Sequence, residues 1–245
     1  MKLSVYFTPL AVAPPVVTGK PVLVIDILRA TTTMVTALAN GARAILSAET
    51  ADEAMRMAQN LKSDDLLLAG ERNLERIDGF TLGISPLEMT SEVVAGKQLI
   101  MMTTNGSVAL AAVGLGNPVL IAAALNFTAV AQAANEAFED AGEIVIVCAG
   151  REGMFALEDA YAAGRFVQSL ITGRGRGAVA LSDGAIAARE LVRRYGDKWR
   201  RAISASAAAR TLKLAKLKAD VDAATESDKY DIVPRYADKL VKVPT

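Results

Sequence analysis

The sequence predicts an α/β protein: a largely parallel or mixed sheet flanked by helices, with a helix-rich C-terminal third. Three observations carry this reading. Short β-branched runs alternate with longer alanine-rich amphipathic stretches over about the first 180 residues, the pattern of strands joined by helices. One run, Val22 to Ile27 (VLVIDI), is apolar without alternation until its single acid, as a strand buried on both faces would be. From Asp183 to Leu217 the chain becomes rich in Ala, Arg and Lys and poor in β-branched residues.

In chain order, MKLSVYFTPL reads as a first strand followed by a proline-rich loop. After VLVIDI, Thr32 to Ala39 reads as a helix stopped by Asn40 and Gly41. Ala44 to Leu46 is a short strand. Thr50 with Glu53 forms a capping box for a helix to about Leu61. Leu66 to Ala69 is a strand ending at Gly70-Glu71-Arg72. Gln98 to Met102 is another, ending at Thr103-Thr104-Asn105-Gly106 before a helix through Val113. Val119 to Ala122, a helix from about Thr128 to Ala141, and Ile144 to Cys148 complete the series. Asp231 to Pro234 and Val241 to Val243 read as edge strands, and Lys213 to Lys218 as a solvated helix face. With no fixed-period repeat or low-complexity linker, residues 1–245 read as a single compact α/β body, in one lobe or two.

Composition narrows the chemistry. Lys and Arg number 27 and so do Asp and Glu, so nothing in the charge balance favours nucleic acid or an anionic membrane as a partner. The longest apolar stretch, Ala109 to Leu125, is broken by Gly114, Gly116, Asn117 and Pro118, and no membrane span is expected. A single cysteine excludes a disulfide framework and fits a cytoplasmic setting. The absence of histidine removes the Ser-His-Asp triad, phosphohistidine chemistry and histidine-ligated zinc or iron.

In open α/β sheets ligands lie beyond the carboxyl ends of the strands. Those ends carry Asp26-Ile27-Leu28-Arg29-Ala30-Thr31-Thr32-Thr33, Gly70-Glu71-Arg72, Thr104-Asn105-Gly106-Ser107 and Cys148-Ala149-Gly150-Arg151-Glu152-Gly153. DILRATTT would aim backbone N–H groups, hydroxyls and the Arg29 fork at an anion. TTNGS offers a second such cradle, or an ordinary Asn-Gly turn. Leu157-Glu158-Asp159 opens a predicted helix, and its acids either serve the helix dipole or meet Asp26. Asp26, Glu158 and Asp159 converging on one point would need a hard cation, best matched by Mg²⁺. Cys148 lacks an arginine six residues on, where Met154 stands, so a cysteine-phosphatase loop is not formed. Leu28 occupies the place of the second acid of a DxD aspartyl-phosphate motif, which leaves metal-activated water as the simpler route to phosphate hydrolysis.

VIDILRATTT, AGER, GISPLEMT, TTNGS and VCAGREGMFALEDAYAAG, in that order between Val22 and Gly164, resemble the blocks of the 2-phosphosulfolactate phosphatase family. The resemblance implies an α/β hydrolase that uses Mg²⁺ to convert (2R)-phospho-3-sulfolactate to sulfolactate and phosphate, a step of coenzyme M biosynthesis in organisms that make it. It marks Asp26, Arg29, Glu71 and Cys148 as catalytic positions. Thr31, Thr32, Thr33, Arg72, Ser85, Glu88, Thr104, Asn105, Gly106 and Gly150 are marked as substrate-binding, and Asp26, Glu158 and Asp159 as metal ligands. Ile84 stands where an asparagine is expected, Ser107 where threonine is usual, and the final third matches poorly. The expected partners are a small anionic phosphorylated substrate and a second copy of the chain in a homodimer. The rival readings are a phosphatase for another phosphorylated hydroxy acid and a non-catalytic binder of such a ligand.

Overall fold

The computed structural model describes residues 1–61, 63–175 and 177–244. In chain order it forms β1 (Lys2–Tyr6), α1 (Pro14–Val17), β2 (Val22–Ile25), α2 (Ala30–Ala39), β3 (Ala44–Ala48), α3 (Ala51–Leu61), β4 (Leu66–Arg72) and β5 (Glu75–Arg76). Then come α4 (Ser91–Val94), β6 (Gln98–Met102), α5 (Gly106–Ala112), β7 (Val119–Ala122), α6 (Phe127–Ala141), β8 (Glu143–Cys148) and α7 (Leu157–Ile171). The final third adds β9 (Ala180–Leu181), α8 (Asp183–Tyr195), α9 (Trp199–Ile203), α10 (Ala207–Leu214), α11 (Lys218–Ala223), β10 (Arg235–Ala237) and β11 (Leu240–Lys242).

The sheet runs β5-β4-β6-β3-β11-β10-β7-β2-β8-β1-β9 and is mixed, with the α/β class as expected. The strands β4, β6 and β3 pair in parallel, and so do β7, β2, β8, β1 and β9. The hairpin β10–β11 joins these halves by antiparallel pairing to β7 and to β3. Counting reversals across it, the two parallel halves run in opposite senses. The last strands are therefore not the edge strands expected from sequence. Asp231 to Pro234 is irregular, and the hairpin that follows turns at Asp238 and Lys239, both at positive φ (51° and 63°), the backbone of a two-residue type I′ connection.

Burial explains the unbroken apolar runs. Leu23, Ile25, Ile144 and Ile146 point to one face, against Phe138 of α6, Phe166 of α7 and Ile203 of α9. Val22, Val24, Val145 and Val147 point to the other, against Met34 and Leu38 of α2 and Leu110 of α5. Each fully buried side chain of this size contributes about 1.5–3 kcal/mol, so neither face of β2 or β8 tolerates a polar residue. The strand β2 ends at Ile25, two residues short of the apolar run, because Asp26 turns the chain into α2. Thr50 Oγ1 accepts the Glu53 N–H (3.1 Å), but the Glu53 carboxylate reaches back to the N–H of Glu49 (2.7 Å), one residue earlier than a capping box requires. Among the described residues no helix is long and apolar enough to cross a membrane.

Candidate active site

A cavity of about 290 Å³ opens where the segments following β2, β4, β6 and β8 meet, so both halves of the sheet contribute carboxyl ends to one site. That volume suits a small ligand. Its charged lining is Asp26, Arg29, Glu71, Arg151, Glu152 and Glu158, four acids against two arginines. Thr104, Asn105 and Gly150 also face it, with Ile84 as an apolar wall.

Asp26 lies at the centre. Its Oδ1 accepts the Ala30 N–H at 3.2 Å, at the first turn of α2. Burial pushes its pKa up to about 7, the charges of Glu158 and Glu71 push the same way, and the Ala30 N–H and Arg29 oppose them. Glu158, also buried, is raised chiefly by burial and held down by its own N–H, the Ser206 hydroxyl and Arg151. Glu71 is fixed on three donors: Thr104 N–H (3.0 Å) and hydroxyl (2.6 Å) at Oε1, and Leu74 N–H (3.0 Å) at Oε2. Arg29 donates from Nη1 to Asp220 Oδ2 at 2.6 Å, and both side chains are nearly inaccessible.

Gly106 begins α5 against this centre. A Cβ there would collide with that of Ala30 and stand 2.8 Å from Thr103 Oγ1 and 3.0 Å from Asp26 Oδ2, so only glycine lets α5 approach the acid. Gly150 sits at φ +66°, and a Cβ on it would run into the Met154 carbonyl and stand 3.0 Å from that of Phe7.

Other sequence-predicted residues stand away from the cavity. Thr31, Thr32 and Thr33 are buried in α2, and their hydroxyls donate to the carbonyls of Asp26 (2.8 Å), Ile27 (2.8 Å) and Ile84 (2.6 Å). A threonine buried in a helix satisfies its hydroxyl on the preceding backbone, as Thr31 and Thr32 do. Thr33, which also reaches the Arg29 carbonyl (3.0 Å), ties α2 to the segment at Ile84, and the three do not form a hydroxyl cradle. Asp159 is buried behind the acids, with Oδ1 accepting Ile27 N–H (2.8 Å) and Oδ2 accepting Gly150 N–H (3.1 Å). It ties the β2 end to the β8 end. Among the described residues no three acids are grouped so as to clasp one ion, so the expected Asp26, Glu158 and Asp159 triad is not preassembled.

Ser85 donates to Asp220 Oδ1 (2.6 Å) behind Arg29, and Glu88 accepts the Gly83 N–H (2.9 Å). Arg72 is exposed and lies outside the lining. Cys148 is wholly buried in the core, its thiol pushed well above the ordinary range by burial and by the charges of Asp159 and Glu158. A protonated thiol without access to the cavity does not fit the catalytic position expected for it.

The sequence reading missed the wall supplied by the final third, Ala208, Thr211 and Leu212 of α10, and the anchor Asp220 of α11. Asp220 is 191 residues from Arg29, and no spacing rule could have paired them.

The profile of the 2-phosphosulpholactate phosphatase family matches residues 8–239. The chain belongs to this family. It is thus a member of a family of phosphoric monoester hydrolases. A probable 2-phosphosulfolactate phosphatase of Clostridium botulinum (strain Eklund 17B) is 34% identical over 247 residues, 99% of this chain and 100% of the relative. One from Deinococcus radiodurans is 39% identical over 213 residues, covering 86% of this chain and 85% of its own. One from Caldanaerobacter subterraneus subsp. tengcongensis is 44% identical over 151 residues, 62% of this chain and 61% of its own length.

Proposed function

We propose that the protein is a Mg²⁺-dependent phosphatase that hydrolyses (2R)-phospho-3-sulfolactate to sulfolactate and inorganic phosphate. The observation that carries the reading is the convergence of Asp26, Arg29, Glu71 and Glu158 on one small cavity in a chain of this family.

The donor set fits Mg²⁺ in its looser mode. This ion usually takes one or two carboxylates and completes its shell with water and substrate phosphate, so a three-acid cage is not required. Asp26 and Glu158 would hold it, and a net excess of acids over arginines in the cavity, set against an anionic substrate, supports a cation there. When bound, the ion supplies charge neutralisation and Lewis acidity at the phosphate.

The chain's own groups do the rest. The Arg29 fork keeps N–H donors for phosphate oxygens while Nη1 is anchored on Asp220. Asp26 Oδ2, the oxygen not engaged by Ala30, would orient the attacking water. Glu71, with both oxygens already accepting, positions Thr104 at the rim. The apolar Ile84 in the wall, where asparagine was expected, keeps a second reading in view: the same reaction on another phosphorylated hydroxy acid.

The test is phosphate release across a panel of phosphorylated three-carbon acids, with Mg²⁺ or with EDTA. Mg²⁺-dependent release from phosphosulfolactate above the rest supports the reading. A preference for another member moves the substrate, full turnover in EDTA removes the metal, and no release leaves a binder.

A further inference from the structure

The two arginines of the cavity are differently placed. Arg29 is closed against the buried carboxylate of Asp220. Arg151 is held instead by a neutral group, its Nη1 donating to Thr211 Oγ1 at 3.0 Å. Its nearest carboxylate partner, Glu152, stands 3.7 Å from Nε and is 66% exposed, a loose pair that water screens. Arg151 also forms part of a second chamber of about 230 Å³ that shares Arg151, Glu158 and Ala208 with the first. Arg210 also lines that chamber, its Nη1 on the Ala205 carbonyl (2.7 Å). The second chamber thus carries two arginines against one acid, Glu158, whereas the first carries four acids against two arginines.

We propose that Arg151, steadied by Thr211, is the specificity-determining residue that receives the substrate's non-reacting anionic group, a carboxylate or sulfonate, directed toward the second chamber. This deepens the phosphatase reading and rests on it. The protein would therefore discriminate between phosphate esters that carry a neighbouring acid and esters that carry none.

The experiment compares kcat/KM for phosphosulfolactate with that for p-nitrophenyl phosphate, in the wild type and in Arg151→Met, Arg151→Lys and Thr211→Val. The wild type should prefer phosphosulfolactate. Arg151→Met should lower the ratio of the two constants by roughly 10-fold or more, mostly through KM, the scale of losing a charge-assisted contact of about 1.4 kcal/mol at a partly exposed site. Arg151→Lys, which keeps charge without the fork, and Thr211→Val should lower it by about 3- to 10-fold, and they carry the comparison if Arg151→Met does not fold.

Calorimetry with sulfolactate, which has no phosphate, gives a readout independent of turnover: the wild type should bind it and the Arg151 variants should bind it more weakly. Equal losses on both esters, or unchanged sulfolactate binding in the Arg151 variants, would overturn the assignment. A wild type that binds sulfolactate through Arg151 but hydrolyses neither ester would overturn the phosphatase reading and leave the Arg151 assignment standing.

Discussion

Arg29 Nη1 and Asp220 Oδ2 lie 2.6 Å apart in an almost water-free setting, joining the turn after the first central strand to a helix near the chain's other end. A guanidinium at this depth is tolerable only with its counter-charge, because an unpaired buried ion is strongly disfavoured. Asp220→Ala should therefore lower unfolding free energy by about 3–5 kcal/mol in urea titration. Arg29→Lys, which retains the charge but loses the planar fork, should keep most of the stability and lose about ten-fold or more in kcat/KM. A stable, fully active Asp220→Ala protein would show that Arg29 needs no anchor.

The pH dependence has a definite sign. The Asp26 carboxyl rises from 3.8 to about 7 on folding, so between those values the native state holds a proton that the unfolded chain has lost. The resulting stabilisation is complete below about pH 4 and disappears as pH rises through about 7. Metal-free protein should melt at a higher temperature at pH 5 than at pH 8, and Asp26→Asn should flatten part of that slope. The same substitution should reduce turnover by about 10²-fold. A melting temperature that rises over this interval in metal-free protein would contradict the burial of Asp26.

Adjacent acids should separate in their effects. Asp159 accepts two backbone N–H groups, and an asparagine would turn its amide toward one of them, so Asp159→Asn should cost about 1–3 kcal/mol of stability. Glu158→Gln faces the cavity and should fold normally, with weaker Mg²⁺ binding by calorimetry and lower turnover. Interchanged phenotypes would mean that the wrong acid has been placed on the cavity.

Cys148→Ala should leave turnover intact. The thiol is fully buried among β-strand and α7 side chains, so its loss should cost about 1 kcal/mol of packing, and the native protein should resist iodoacetamide. Rapid alkylation with loss of activity would restore it to the site.

The sequence made the strand ends legible because two-sided burial leaves unbroken apolar runs, and residues that break them, such as Asp26 and Glu71, stand out. Arg29 and Glu158 were legible for the same reason, being polar groups beside those ends. Thr31, Thr32 and Thr33 looked equally available, yet their hydroxyls satisfy backbone carbonyls, those of Asp26 and Ile27 nearby and, for Thr33, also that of Ile84, 51 residues on, a choice that composition does not reveal. Thr211 and Asp220 flank the Lys213 to Lys218 stretch that reads as a solvated helix face, carry no local signal of their own, and are brought to Arg151 and Arg29 only by tertiary packing. Asp231 to Pro234 and Val241 to Val243 read as edge strands because short terminal strands usually lie at an edge. The central place of the hairpin from Arg235 to Lys242 is a matter of strand order, which is not written in local pattern.

The location of that hairpin has a kinetic consequence. Ile45 pairs with Val241 and Leu120 with Arg235, so closure of the sheet waits on contacts between distant parts of the chain, the kind that slows folding. Until they form, β3 and β7 each present an unpaired edge lined by apolar neighbours, open to another molecule in the same state. Shortening the chain to Pro234 would thus expose two adhesive edges at the middle of the sheet, and aggregation during refolding would be its first symptom.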